Sequence, residues 1–264
     1  MIKMPLTNEM LLNSTPSIFA TSPSFEVSKK YAFISTIEVV ELFRNNSWYP
    51  VEAKESFVRL SHNQGYQKHL IRFRHIGDFL NEKEEAVEIV LTNSHNRTSS
   101  FIIQAGVFRF ICGNGLVVAN NIFEKISIRH IGFKEIAVKE AIERIVANTD
   151  KINSKIELYK QIELNSTEQI SLVRAAKDIR FKPHQEIDIY TLIQSHRKED
   201  NGNDLWRVFN RLQENVIRGG VKGKNIITNR NFTSKPIKSI DSLISINEKL
   251  FDLTERFASI KLSA

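Results

Sequence analysis

The sequence predicts an α+β fold, with an N-terminal antiparallel β-sheet and one early helix followed by a C-terminal helical half. Three observations predict it. Between Tyr49 and Ile131, short apolar or alternating runs are separated by Asn/Gly-containing turns or a charged loop. No room is left there for the crossover helices that parallel strands require. Within Asn93–Val118, two apolar runs meet at Gly113-Asn114-Gly115, a hairpin signal because a type I′ turn needs φ > 0 at both central residues. Beyond Gly132 the apolar spacing becomes helical, with Ile136, Ala137, Ala141, Ile145 and Val146 on one stripe.

Each element follows from its own signal. Residues 1–30 are rich in Ser, Thr, Pro and Asn and read as an irregular arm. Ser35-Thr36-Ile37-Glu38 is a capping box that opens a helix, and Asn45-Asn46 stops it. Strands are predicted over Tyr49–Leu60, Lys68–Ile76, Val87–Thr92, Phe101–Gln104, Val107–Cys112, Leu116–Ala119 and Glu124–Ile131. A β-rich core therefore spans 31–132, and a helical region spans 133–264. The first helical stretch runs from Phe133 to about Glu163. Asn165 with Glu168 caps a second helix that ends near Ile179. A third is predicted over Ile187–His196, after Pro183. A fourth covers Asp204–Arg218 and is closed by Gly219-Gly220, and the last covers Ile240–Ile260.

Composition narrows the class. The chain has 264 residues, 41% hydrophobic and 25% charged, the profile of a globular protein with a sizeable core. One cysteine, Cys112, excludes a disulfide within the chain, and its place in the apolar run Val107–Cys112 reads as a buried thiol. No apolar run approaches a membrane span, and no signal-peptide core follows Lys3, so a cytoplasmic protein with no membrane partner is expected.

The net charge of +7 is unevenly placed. Residues 201–264 carry 11 Lys and Arg against 6 Asp and Glu, whereas the two sums are nearly equal in residues 1–200. Between Glu214 and Asp241 there is no acidic residue, and Arg218, Lys222, Lys224, Arg230, Lys235 and Lys238 all fall in that stretch. Such a cluster attracts polyanions, because each neutralised phosphate releases counterions. A solvated basic loop after a helix is the ordinary alternative, and the helix dipole alone favours a cation at Arg218.

A second basic group is predicted on the sheet. In Lys68–His75, alternation puts Lys68, Leu70, Arg72 and Arg74 on one face and His69, Ile71, Phe73 and His75 on the other. A basic sheet face beside aromatics is how several single-strand binders track a backbone. Arg59, Arg97 and Arg109 extend this candidate set, against the alternative of a solvated outer face.

Other chemistries have weaker support. His69 and His75 would stand about 20 Å apart on one strand and cannot share an ion. There is no His-Glu-x-x-His, Cys pair or His-x-His, so no metal and no cofactor is expected, although His95, His130 and a carboxylate could in principle meet. Glu52-Ala53-Lys54 is the one nuclease-like tripeptide, and such triplets arise readily by chance. Gly219–Asn225 is not a Walker A loop: its glycine spacing is wrong, Asn225 stands where Ser or Thr would hold magnesium, and it follows a helix C-terminus. Trp206, Phe209, Leu212, Leu205 and Val208 form an apolar helical face suited to a core.

Several ordered motifs carry a family resemblance. They are Pro16-Ser17-Ile18-Phe19-Ala20, Asn93-Ser94-His95, Gly106–Val117, Asn203-Asp204-Leu205-Trp206 and Gln213–Gly220. In these the chain resembles the domain of unknown function 932 family, the YfjQ/YafZ-like proteins of prophages and plasmids, over nearly its whole length. Where those relatives typically read Ser-His-Asp-Gly, this sequence has Ser94-His95-Asn96-Arg97. The resemblance implies a mobile-element setting and no particular chemistry.

The expected function is a mobile-element accessory protein that binds nucleic acid, single-stranded DNA above all, without catalysis and in recombination or annealing. The alternative is a protein-interaction module that counters a host defence or replication factor. A metal-dependent nuclease ranks third. The expected partners are accordingly nucleic acid, a host protein, or further copies of the chain.

Overall fold

The computed structural model describes residues 4–79, 85–109, 116–117, 125–128, 130 and 136–263. The chain divides into two compact units, 1–150 and 151–264. The boundary falls later than the sequence suggests, because the helix α3 (Ile136–Ala147) packs with the first unit, against β4 (Phe101–Arg109) and α2 (Thr36–Asn45).

The first unit is built on a six-stranded antiparallel sheet. Its path runs β1 (Trp48–Glu55), β2 (His69–His75), β3 (Glu85–Asn93), β4 and β5 (Leu116–Val117), and β6 (Lys125–Ile128) also pairs with β4. Every pairing is antiparallel. The first predicted run and the second as far as Arg109 form one continuous strand, β4, and β5 returns alongside it with Gly106 opposite Val117. The Gly113-Asn114-Gly115 turn and Cys112 lie outside the described residues.

Helix α2 begins where the capping signal puts it, with the Ser35 hydroxyl accepting the Glu38 N–H. It covers the apolar sheet face, and Phe43 stacks on Phe73 with ring centres 4.2 Å apart. The N-terminal arm is more ordered than its composition suggests. Thr7 caps a short helix, α1 (Asn8–Ser14), and a 3-10 turn follows over Pro16–Phe19, with Leu11 and Ile18 fully buried. Two apolar anchors in an otherwise polar segment are enough to dock it.

In the second unit, α4 (Thr149–Gln161), α5 (Ser166–Arg180), α6 (Leu205–Arg218) and α7 (Ile240–Ser263) carry the core. The single helical stretch expected from Phe133 to Glu163 is thus two helices, α3 and α4. Asn165 and Glu168 form a complete capping box at α5. Trp206 stacks on Phe209 and Phe209 meets Phe251 edge-on, so the Trp206 face is core. The helix expected over Ile187–His196 is instead a strand end and a 3-10 turn (Ile189–Ile193) capped by Asp188. The basic stretch after Gly220 is not a loop. It forms β8 (Lys222–Asn225) and β9 (Arg230–Thr233), which join β7 (Gln185–Ile187) in a three-stranded antiparallel sheet ordered β7-β8-β9. Among the described residues no helix is long and apolar enough to cross a membrane.

Candidate nucleic-acid interface

The basic hairpin is positioned by the end of α6. Asp204 caps the helix N-terminus by accepting the Arg207 N–H at 3.0 Å. At the other end Gly219 takes φ +79°, and an added Cβ there would sit 2.6 Å from the Lys235 carbonyl carbon. Only glycine gives both that conformation and that approach. Ser234 then ties the hairpin base: its carbonyl accepts the Gly220 N–H, its N–H bonds the Val221 carbonyl, and its hydroxyl accepts the Val221 N–H.

Register sorts the side chains. Lys222 is opposite Thr233, Lys224 is opposite Asn231 on β9 and Glu186 on β7, and these share one face. Gly223, Phe232 and Ile187 share the other, where Phe232 faces Phe181 at 6.4 Å. The first face borders an open groove of about 680 Å³ that Asp188 also lines. Glu186 and Asp188 offset part of the charge of the two lysines. Arg218, Lys222, Lys224, Arg230, Lys235 and Lys238 are all exposed. Arg218 lies 3.8 Å from Glu214, and among the described residues the other five make no ion pair. The hairpin tip is fixed: Asn225 Oδ1 accepts the N–H groups of Ile227 and Thr228, and Ile226 N–H donates to the His184 carbonyl.

The first unit holds a buried polar centre that sequence reasoning missed as a centre. Thr36 Oγ1 is 2.9 Å from Nε2 of His69, 3.3 Å from Nε2 of His95, and accepts Asn93 Nδ2–H at 3.0 Å. His69 Nδ1 donates to the Gln67 carbonyl and sits 3.0 Å from Ser17 Oγ. His69 Nε2 is then the acceptor of the Thr36 hydroxyl proton, which leaves His95 Nε2–H as a donor to Thr36. Both rings are neutral. Burial, reinforced by the neighbouring His95, pushes His69 down to about 3. Burial, reinforced by His130, pushes His95 to about 4. His130 is also lowered by burial, donates Nδ1–H to the Ala32 carbonyl, and stacks on Tyr31. Among the described residues no three His, Cys, Asp or Glu are grouped to hold a metal ion. The signal available in the sequence was that Ser17 and His95 each fall within one of the ordered motifs.

A family comparison covers all of the ordered motifs but the first, Pro16–Ala20. The model described as "Domain of unknown function (DUF932)" matches residues 25–250. The chain belongs to this family. Among the DUF932 chain's relatives in Escherichia coli (strain K12), UPF0380 protein YafZ is 31% identical over 95% of this chain and 91% of its own length. UPF0380 protein YfjQ is 30% identical over the same shares. No solved structure matches.

In this DUF932 chain the motif over Gln213–Gly220 is mostly scaffold. Gln213 bonds Asn247, Glu214 pairs with Arg197, and Asn215 bonds the Leu192 and Gln194 carbonyls and His196. Its end aims the basic hairpin.

The sheet cations are placed differently from the basic face that alternation suggests. Arg72 and Arg74 do share a face, but that face is sealed, with the two residues 5% and 1% exposed. Arg72 donates to Glu88 and Glu52, and Arg74 donates to Glu88, all at 2.6–3.0 Å. Glu52 also pairs with Lys54, so the nuclease-like triplet is occupied by cations. Arg59 is exposed in the β1–β2 loop, and Lys68 is half-buried just before β2. Arg97 is exposed at φ +60° in a loop that Asn96 and Ser94 brace from within. Arg109 ends β4 opposite Glu85.

Proposed function

We propose that this DUF932 chain is a mobile-element accessory protein that binds nucleic acid, single-stranded DNA first, and serves recombination or annealing without chemistry of its own. The observation that carries the reading is the hairpin. Six cations between Arg218 and Lys238 are exposed, and no acidic residue interrupts that stretch. Strand pairing fixes Lys222 and Lys224 on one face, so the charges are displayed on a folded element. Single strands are favoured because a shallow cationic groove with Asn231 and Thr233 suits a flexible backbone better than the deep grooves of a duplex. Of the cations that the sequence reading placed on the first unit, Arg59 and Arg97 are exposed. Arg72 and Arg74, buried and paired with Glu88, are not part of the footprint.

Anisotropy titration of the purified chain with fluorescent single-stranded and duplex DNA, without added metal, tests this reading. Salt-sensitive binding that prefers the single strand supports it. No binding at low salt overturns it.

A second reading, an interaction module directed at a host protein, draws on one observation. Phe25, Phe57 and Leu60 of the first unit are 78%, 89% and 58% exposed, an apolar display that a protein partner would cover. Such an interface would be nearly insensitive to salt.

A further inference from the structure

The hairpin tip carries a feature that the cations do not explain. Ile226 and Ile227, at the turn between β8 and β9, are 53% and 75% exposed. They stand between Lys224 and Arg230 in the sequence, at the end of a hairpin whose neighbouring cations are unpaired among the described residues. Two adjacent isoleucines at an exposed turn are unfavourable in water. The turn is also held rather than floppy, by Asn225 Oδ1 on two successive N–H groups, by the tether of Ile226 to His184, and by Asn229 at φ +54°.

We propose that Ile226 and Ile227 form an apolar wedge that inserts between adjacent bases of a single strand, while Lys222, Lys224 and Arg230 hold the flanking phosphates. This rests on the nucleic-acid reading above and deepens it. Charge complementarity selects the occupant: a polyanion is the ligand that unpaired cations around an apolar tip fit. Apolar side chains inserted at base steps are an established way to unstack them. In a single strand the opening costs least, because no base pair is broken. A lipid surface shares the apolar-plus-cationic chemistry. The tip offers only two aliphatic side chains, however, against the larger apolar face by which interfacial elements bind.

The test uses the full chain and an oligonucleotide with 2-aminopurine at its centre, whose fluorescence rises when its neighbours unstack. The parent chain is expected to raise the signal. Ile226→Ser/Ile227→Ser should abolish the rise and weaken binding roughly tenfold, while leaving the salt dependence unchanged. Both side chains are exposed, so the substitutions should not disturb folding. Circular dichroism checks this, and Ile227→Ser alone gives a milder second variant. Binding without any rise, or a rise that survives in the double variant, overturns the wedge and leaves the nucleic-acid reading standing. Absence of binding by the parent overturns both. Binding of the parent to phosphatidylserine vesicles, lost in the double variant, with no response to the oligonucleotide, would assign the tip to a membrane surface instead.

Discussion

Arg74 Nη2 donates to Glu88 Oε1 at 2.6 Å, and neither side chain reaches solvent. Glu88 serves Arg72 through its other oxygen, so one buried carboxylate holds two guanidinium groups on adjacent positions of one sheet face. The pairing converts what alternation presents as a binding surface into an internal strut.

Removing that carboxylate should therefore be costly. Glu88→Gln removes the charged carboxylate that Arg72 and Arg74 share, while Arg72 keeps its pair with Glu52. A loss of about 3–5 kcal/mol is expected, the usual result of breaking one side of a buried ion pair. Urea denaturation measures it. An unchanged midpoint would mean that water reaches Arg74.

The buried histidines make stability depend on pH. His69 and His95 are held at about 3 and about 4 in the folded chain, below the 6.5 of an unfolded histidine. Between those values the unfolded chain binds more protons than the folded one, so stability falls as pH drops from about 6.5 toward 4 and is flat in these groups above that window. Each histidine contributes at most about 1.4 kcal/mol per pH unit there. His69→Gln should lower the slope of stability against pH between 6.5 and 4, and an undiminished slope would count against a neutral His69.

Thr36 tests the same centre without charge. Its hydroxyl serves His69, His95 and Asn93 together. Thr36→Val keeps the shape and leaves three buried polar groups each short of one bond, so a loss of about 1–3 kcal/mol or more is expected from thermal unfolding. A neutral outcome would show that water replaces the hydroxyl.

Hairpin geometry can be separated from hairpin charge at Gly223. A Cβ there would meet the Glu186 carbonyl at 2.4 Å and the Phe232 ring at 2.6 Å. Gly223→Ala should loosen the β7-β8-β9 sheet, seen as faster amide exchange in Lys222–Asn225, and should weaken DNA binding although no charge has changed. Binding that is unaffected despite faster exchange would mean that the cations act as an unstructured cluster.

What the sequence made legible follows from how local each signal is. Ser35 and the Asn165/Glu168 pair mark helix starts because capping is settled within four residues, and Gly219 marks a stop for the same reason. The strand β2 was legible too, with Arg72 and Arg74 on one face. Its burial was not, because Glu88 lies on β3 and only strand register brings it there. The small sheet was missed because Lys222-Gly223-Lys224-Asn225 lacks the apolar alternation of a half-buried strand, and the apolar residues that share a face with Gly223, Phe232 and Ile187, sit on the other two strands. The polar centre joins Ser17, Thr36, His69 and His95 from four separate segments, and no spacing rule reports such a meeting.

The most direct test of the nucleic-acid reading is the slope of log affinity against log salt for single-stranded DNA, compared between the parent chain and Lys222→Ala/Lys224→Ala. Each phosphate contact contributes about 0.7 to that slope on a single strand, so the double variant should be shallower by about 1.4 and bind more weakly at every salt concentration. Equal slopes and equal affinities would contradict binding through the hairpin.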